Sequence, residues 1–246
     1  MNPPNRDTSN KRFRAMQAAA RQRKADFDAA PLPKSHIGMA TCGIAAGALE
    51  TRAAFEQALV ERGIDARIPL VGCVGHCYAE PVVVIDHPAS GFPPILYPVV
   101  NPGKATMLTK LFLEGGDPRL EHILGATVDN DLIPSVMEFP RFNQEKRVVM
   151  EKCGRIDPED IYDYLAEGGY TALATTLESS PQAIIAEIEH SGLRGRGGAG
   201  FPTGSKWELA RRAAGDDKIV ICNADEGDPG AYMDRTILES LSLIHI

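Results

Sequence analysis

The sequence predicts an α/β protein of two domains, and three observations carry that reading. Between Ser35 and about Leu124 a helical apolar face alternates with short β-branched runs. Residues 126–144 hold Pro134 and Pro140 and show no clear period, as a linker would. From residue 145 onward, helix starts alternate with a glycine-rich loop and a short apolar run, over residues 145–240. A length of 246 residues accommodates one or two such domains.

Each element has a local cause. Residues 1–34 are polar, with Arg12, Arg14, Arg21 and Arg23 among alanines, and read as a solvated, partly helical extension. Asp7, Asp26 and Asp28 count against a transit peptide there. In the first domain, residues 35–125, a helix over 45–62 carries Ala54, Phe55, Ala58 and Leu59 on one face and stops at Gly63. Strands are expected over 66–71, 81–85 and 95–99. Asn101-Pro102 begins a closing helix that runs to Leu113. In the second domain a strand is expected over 145–153, and a helix from Asp157-Pro158-Glu159 to Gly168-Gly169. Ser180-Pro181 begins another helix, with Ile184, Ile185 and Ile188 on one face. Thr203 is placed as the cap of a helix over 204–214, and Lys218–Cys222 as a buried strand.

Composition excludes several functions. A net charge of −7 argues against nucleic acid as a main partner. No apolar run reaches the ~18–20 residues that a membrane span needs. Five cysteines, an odd number spread along the chain, do not form a disulfide framework, so a reducing, cytoplasmic location is expected.

The chemistry concentrates in two stretches. The first is GLRGRGGAGFPTGSKW, residues 192–207. Gly195, Gly197, Gly198 and Gly200 leave backbone N–H groups bare, and Arg196 and Lys206 add positive charge beside a helix start. These describe a site for a polyanion such as a nucleotide phosphate; a plain surface loop has the same composition. Gly195, Gly197 and Gly200 match G-x-G-x-x-G, but a Rossmann site needs a strand before the first glycine and a helix is expected there. The second stretch is VICNADEGDPGAYMDR, residues 220–235. Carboxylates at the end of an apolar run repel phosphate and suit hydroxyl and ring N–H groups; a solvated turn would look the same.

Taken together, the two stretches resemble the flavin- and NADH-binding subunit of respiratory complex I and its relatives in NAD(P)-linked hydrogenases and formate dehydrogenases. The resemblance spans about residues 147–240. It implies FMN held in a non-Rossmann α/β fold, of which this chain carries the N-terminal part, with NAD(H) or NADP(H) beside the flavin. It implies contacts to flavin or dinucleotide from Gly195, Arg196, Gly197, Gly198, Ala199, Gly200 and Lys206, and stacking of Phe201 on the nicotinamide cofactor. Asn223, Asp225 and Glu226 would hold FMN, and Asp228 the dinucleotide. Glu226 is the residue expected to influence the flavin chemistry. Many family members carry Ser-Glu where this chain has Gly227-Asp228, which leaves the adenosine contacts open.

Cys42, Cys73 and Cys77 fall at loops of the first domain. Thiolates at neighbouring loops suit an iron–sulfur cluster, which takes four ligands; buried free thiols are the alternative. GCVGHCYAEPVV, residues 72–83, and TCGIAAGA, residues 41–48, resemble the thioredoxin-like [2Fe–2S] ferredoxin domain that accompanies the flavin subunit. Four-cysteine members of that family have a second cysteine where this chain has Gly47. A structural thioredoxin-like remnant and an occupied cluster both stay open, with His36 or His76 as candidate fourth ligands.

The resemblance implies an NAD(P)H:acceptor oxidoreductase acting with other subunits of an NADH dehydrogenase, hydrogenase or formate dehydrogenase complex. A [4Fe–4S] cluster would lie in the part of the family's length beyond this chain. A non-enzymatic thioredoxin-like docking module is the competing reading. The last residues, LSLIHI at 241–246, resemble translated adapter sequence and are expected to be an artefact.

Overall fold

The computed structural model describes residues 6–140, 142–215 and 217–241. Of the tail expected to be an artefact, 242–246 lies outside the described residues. The chain divides into two compact units, Met1–Ala20 with Leu165–Asp225 and Arg21–Tyr164 with Glu226–Ile246.

The larger unit is built on a five-stranded sheet. Its elements are β1 (Lys34–Gly38), α2 (Thr41–Ala45), α3 (Ala48–Arg62), β2 (Leu70–Val71), β3 (Val83–Asp86), β4 (Ile95–Tyr97), α4 (Pro102–Leu108) and β5 (Gly125–Ala126), preceded by α1 (Arg6–Ala29). The strand order is β2-β1-β3-β4-β5. β1 and β2 are parallel, and the remaining pairs are antiparallel. Parallel neighbours need a crossover, which α3 supplies; β3 and β4 form a hairpin. A β-α-β unit beside an antiparallel hairpin, closed by a helix, is the thioredoxin-like arrangement.

The core explains these elements. Ile37, Val83, Ile85, Ile95 and Tyr97 meet Phe55 and Leu59 of α3 and Ala105 and Leu108 of α4. The expected single helix over 45–62 is two helices, because Gly47 takes a φ of 101° between them. Gly63 ends α3 in the left-handed region, and the Ile64 N–H bonds back to the Leu59 carbonyl at 3.0 Å. The strand expected over 66–71 shrinks to two residues, and the closing helix ends in a π-helical turn over Thr109–Glu114. Residues expected to be a linker contribute the second residue of β5 and, in Ile133 and Val136, buried core. The strand expected over 145–153 is a series of turns. Cys153 and Ile156 pack there against Leu241 of α9 (Met233–Leu241).

α1 is packed rather than fully solvated. Arg23 pairs with Asp160 at 2.5 Å, and Arg67 lies over the Phe27 ring. In the smaller unit Ala20 is buried and the Gln17 amide donates to the Thr171 hydroxyl at 2.9 Å.

The smaller unit is helical. After the last two residues of α5 (Ile161–Ala166), it holds α6 (Thr171–Thr176), α7 (Pro181–His190) and α8 (Thr203–Arg212). Ser180 caps α7 as its sequence requires, accepting from the Ala183 N–H at 3.2 Å. The cap residue of α8 is Pro202, so Thr203 is the first helical residue instead of the cap. Lys218–Cys222 is not a buried strand. Ile219, Val220 and Ile221 are each more than 80% exposed, because a strand needs a neighbour and this unit has none among its described residues.

Two packing points generate tests. The buried Thr51 hydroxyl lies 3.0 Å from the Gly47 carbonyl and 2.5 Å from that of Val100. Thr51→Val keeps the shape but removes the donor to the buried Val100 carbonyl, while the Gly47 carbonyl keeps the Thr51 N–H. It is expected to cost about 1–3 kcal/mol in urea unfolding. At Gly204 an added Cβ would lie 2.9 Å from the Glu189 nitrogen, so α8 could no longer approach α7. Gly204→Ala is expected to cost about 1–3 kcal/mol, read as faster hydrogen exchange in both helices.

Candidate metal centre and candidate cofactor loop

The parallel pairing of β1 and β2 sends both strands out at the same end of the sheet. Cys42 follows β1 in the first turn of α2, and Cys73 follows β2 by two residues. Cys77 opens a short 3-10 turn over Cys77–Ala79. The three sulfur atoms all lie within 4.8 Å of one another, with Cys73 and Cys77 3.7 Å apart. Cys73 is buried, Cys42 half-buried and Cys77 exposed.

The loop is held from several sides. The Cys73 N–H donates to the Ser240 hydroxyl at 2.9 Å, and Gly75 N–H to the Cys73 sulfur at 3.2 Å. Gly72 allows the first contact, since a Cβ there would stand 2.3 Å from the Ser240 backbone. The Arg147 guanidinium donates to the Val74 carbonyl at 2.7 Å. His76 points into the core, where its ring stacks on Phe142 at 3.7 Å and Nδ1 meets the Tyr78 hydroxyl. His36 lies on β1 opposite Val84. Neither histidine is in the sulfur group. Gly47 holds a left-handed conformation that a cysteine adopts only with strain.

Sequence reasoning passed over Glu80. Its carboxylate is 6% exposed, accepts the Val82 N–H at 2.8 Å, and lies 3.8 Å from the Cys42 sulfur. The available signal was an isolated acid between the thiol loop and a buried strand. Burial pushes the Glu80 carboxyl up to about 7, against the Val82 N–H and the Cys42 thiol, which pull it down. The Cys73 sulfur, then burial, push the Cys42 thiol up, and burial pushes Cys77 up. The surroundings favour the protonated thiols of Cys42 and Cys77, so a cation bound there would displace those protons. A [2Fe–2S] cluster takes four terminal ligands, and the thiols supply three.

The glycine loop belongs to the smaller unit. It is closed at its base by Gly195 N–H to the Phe201 carbonyl at 2.8 Å, Thr203 N–H to the Leu193 carbonyl at 2.9 Å, and Arg194 Nε to the Gly200 carbonyl at 2.6 Å. Its tip is open: a Cβ at Gly197 or Gly198 would meet nothing within 4 Å. Gly198 and Gly200 have φ of 96° and 62°. Arg196, Ala199, Phe201 and Lys206 are exposed. Such a loop offers bare N–H groups, two cations and an aromatic face, which suits a phosphate-bearing aromatic cofactor. Asn223 and Asp225, in the same unit, are exposed and joined by Asp225 N–H to the Asn223 side chain at 3.0 Å.

Glu226 and Asp228 fall in the larger unit. Glu226 has a φ of 45°, and its carboxylate accepts the N–H groups of Asp234 and Arg235 at 2.6 and 3.1 Å. It therefore serves the start of α9. Asp228 is exposed, and its carbonyl accepts the Ala231 N–H at 3.0 Å.

Residues 188–243 match the family model of the Nuo51 FMN-binding domain. The NADP-reducing hydrogenase subunit HndC of Solidesulfovibrio fructosivorans is 51% identical over 96 residues, 39% of this chain and 19% of that protein. An NADH-quinone oxidoreductase subunit of Aquifex aeolicus is 53% identical over 103 residues, 41% of this chain and 24% of that protein. The NAD-reducing hydrogenase HoxS subunit alpha of Cupriavidus necator is 34% identical over 166 residues, 68% of this chain and 24% of that protein. Among solved structures, the thioredoxin-like [2Fe–2S] ferredoxin of Aquifex aeolicus aligns at 20% identity and a TM-score of 0.33, over 39% of this chain and 98% of that one. The chain thus spans about a quarter or less of the length of these curated relatives. The resemblance to the complex I flavin subunit and its hydrogenase relatives is borne out, most directly by the FMN-binding domain match over 188–243.

Proposed function

We propose that this chain is the N-terminal part of the flavin subunit of an NAD(P)H:acceptor oxidoreductase. The observation that carries the reading is the FMN-binding domain match, which falls on an open glycine loop followed by a helix. Bound FMN would supply the hydride acceptor that releases electrons one at a time toward iron–sulfur centres. The chain's residues do the holding. Backbone N–H groups of Gly197, Gly198, Ala199 and Gly200 would face phosphate oxygens, with Gly195 holding the base of the loop through its bond to Phe201 and Arg196 and Lys206 balancing the charge. Phe201, 49% exposed, offers a stacking face to the nicotinamide cofactor. Asn223 and Asp225 accept from flavin or ribityl groups, and Asp228 from the dinucleotide. Tuning of the flavin by Glu226 requires its helix cap to open, since both oxygens already accept N–H groups.

The family's relatives include subunits of NADH dehydrogenase and hydrogenase complexes. We place the protein in such an assembly, of the NADH dehydrogenase, hydrogenase or formate dehydrogenase kind, in the cytoplasm. No helix among the described residues is long and apolar enough to cross a membrane.

Flavin binding tests the reading. The chain extended with its natural downstream sequence is expected to purify with one FMN and to reduce ferricyanide with NADH or NADPH. Ligand sites bury ~70–90% of a small ligand, so the chain as given is expected to turn over far more slowly. Lys206→Ala and Asp225→Asn in the extended chain are each expected to weaken FMN about 10–100-fold, the size of a charge-assisted hydrogen bond. An extended chain that stays colourless under FMN titration would favour the non-enzymatic docking module.

A further inference from the structure

We propose that the open edge of β2, with the groove beside it, docks an extended segment of a partner protein that carries an apolar residue with lysine or arginine two positions away. The inference rests on the larger unit alone and holds whether or not the flavin reading does.

The backbone is the first argument. β2 ends the strand order, and no strand among the described residues lies beyond it. On its inner side the N–H groups of Ser35, Ile37 and Met39 donate to the carbonyls of Arg67, Pro69 and Val71 at 2.9, 3.0 and 2.8 Å. Strand backbone alternates, so Ile68 and Leu70 between them turn N–H and C=O to the outer edge. An edge is commonly blunted by proline or by charge; Pro69 holds an inward place, so it removes no outer donor.

Beside that edge, the end of α3 and the chain that follows it form a groove of about 600 Å³. Leu59, Val60, Ile64 and Ile68 line it, with Gly63 at the turn. Ile64 and Ile68 pack on the core, while Val60 is 82% exposed, so the groove has a fixed floor and a bare apolar wall. A Cβ at Gly63 would meet nothing within 4 Å, so the end of α3 leaves the groove open. A strand added at the edge sends alternate side chains to one face and so delivers an apolar residue to the groove.

Charge selects the occupant. The ionisable residues that line the groove are Glu56 and Asp65, and among the described residues no lysine or arginine lines it. Glu56 is paired with Arg52 at 2.8 Å, and Asp65 is exposed. A lysine or arginine two positions from the apolar residue shares its face of the added strand and meets these carboxylates. A second copy of this chain would bring its own Glu56 and Asp65 to the edge, and like charges would meet. Backbone pairing supplies the affinity, and the groove with its two acids supplies the selection.

NMR titration of the isotope-labelled whole chain tests the proposal. The probe is the peptide Thr-Lys-Thr-Val-Thr-Lys-Thr, and the control replaces both lysines by glutamate. The lysine peptide is expected to shift the Ile68 and Leu70 amides and to slow their exchange with solvent. The glutamate peptide should bind at least about 10-fold more weakly. Val60→Lys, at an exposed position, and Ile68→Pro, which removes an outward N–H and no bond to β1, are each expected to weaken the lysine peptide about 10-fold or more. Unchanged Ile68 and Leu70 amides at ~1 mM lysine peptide would overturn the proposal. So would equal affinity for the two peptides, or folded Val60→Lys protein, by circular dichroism, with unchanged affinity. Protection of both amides in a dimer of the free chain would assign the edge to a second copy and overturn it as well.

Discussion

Strand β1 is the constraint on which the larger unit depends. It pairs on both sides, with β2 and β3, and Ile37 is fully buried. A central strand leaves none of its backbone groups to solvent, so its length and register are set by its neighbours. At its end the chain must turn at once. Gly43 comes so near that a Cβ there would lie 2.3 Å from the Gly38 carbonyl oxygen. That tight turn sets Cys42 at the end of the sheet. Because β2 is parallel to β1, Cys73 emerges at the same end.

The thiol loop is short and irregular, and its order comes from contacts distant in sequence. Ser240 accepts the Cys73 N–H, Arg147 donates to Val74, and His76 is stacked on Phe142. These contacts use buried or half-buried groups, where an unmade hydrogen bond costs more than a surface pair contributes. The result is a donor group with two halves of different character. Cys73 and Glu80 are buried and fixed, while Cys77 stays accessible.

The glycine loop is organised in the opposite way. Its base is closed by local backbone bonds, and its tip has open space around Gly197 and Gly198. Glycines there serve access and φ above zero; Gly204 serves close packing of α8 on α7. A loop of this kind offers donors to a ligand but does not enclose it. The exposed run Ile219–Ile221 has the same character, an apolar segment without a neighbour among the described residues of its unit.

The sequence by itself determined the local features. Ser180-Pro181 starts α7, Asn101 caps α4 by accepting from Lys104 N–H, and Gly63 ends α3. Each depends on side chains a few residues apart, as do the glycine loop and the helices flanking it. The long motifs at 192–207 and 220–235 were legible too, because an extended pattern of residue types names a family without any fold. Strand lengths were not, since β2 shrinks to two residues and Lys218–Cys222 forms no strand; β structure exists only where a distant segment pairs with it. The roles of Glu226 as a cap for α9 and of Glu80 beside Cys42 were also decided by tertiary structure alone. A carboxylate carries the same sequence signal in solvent, at a helix start or among thiols, and only the groups folded around it choose between them.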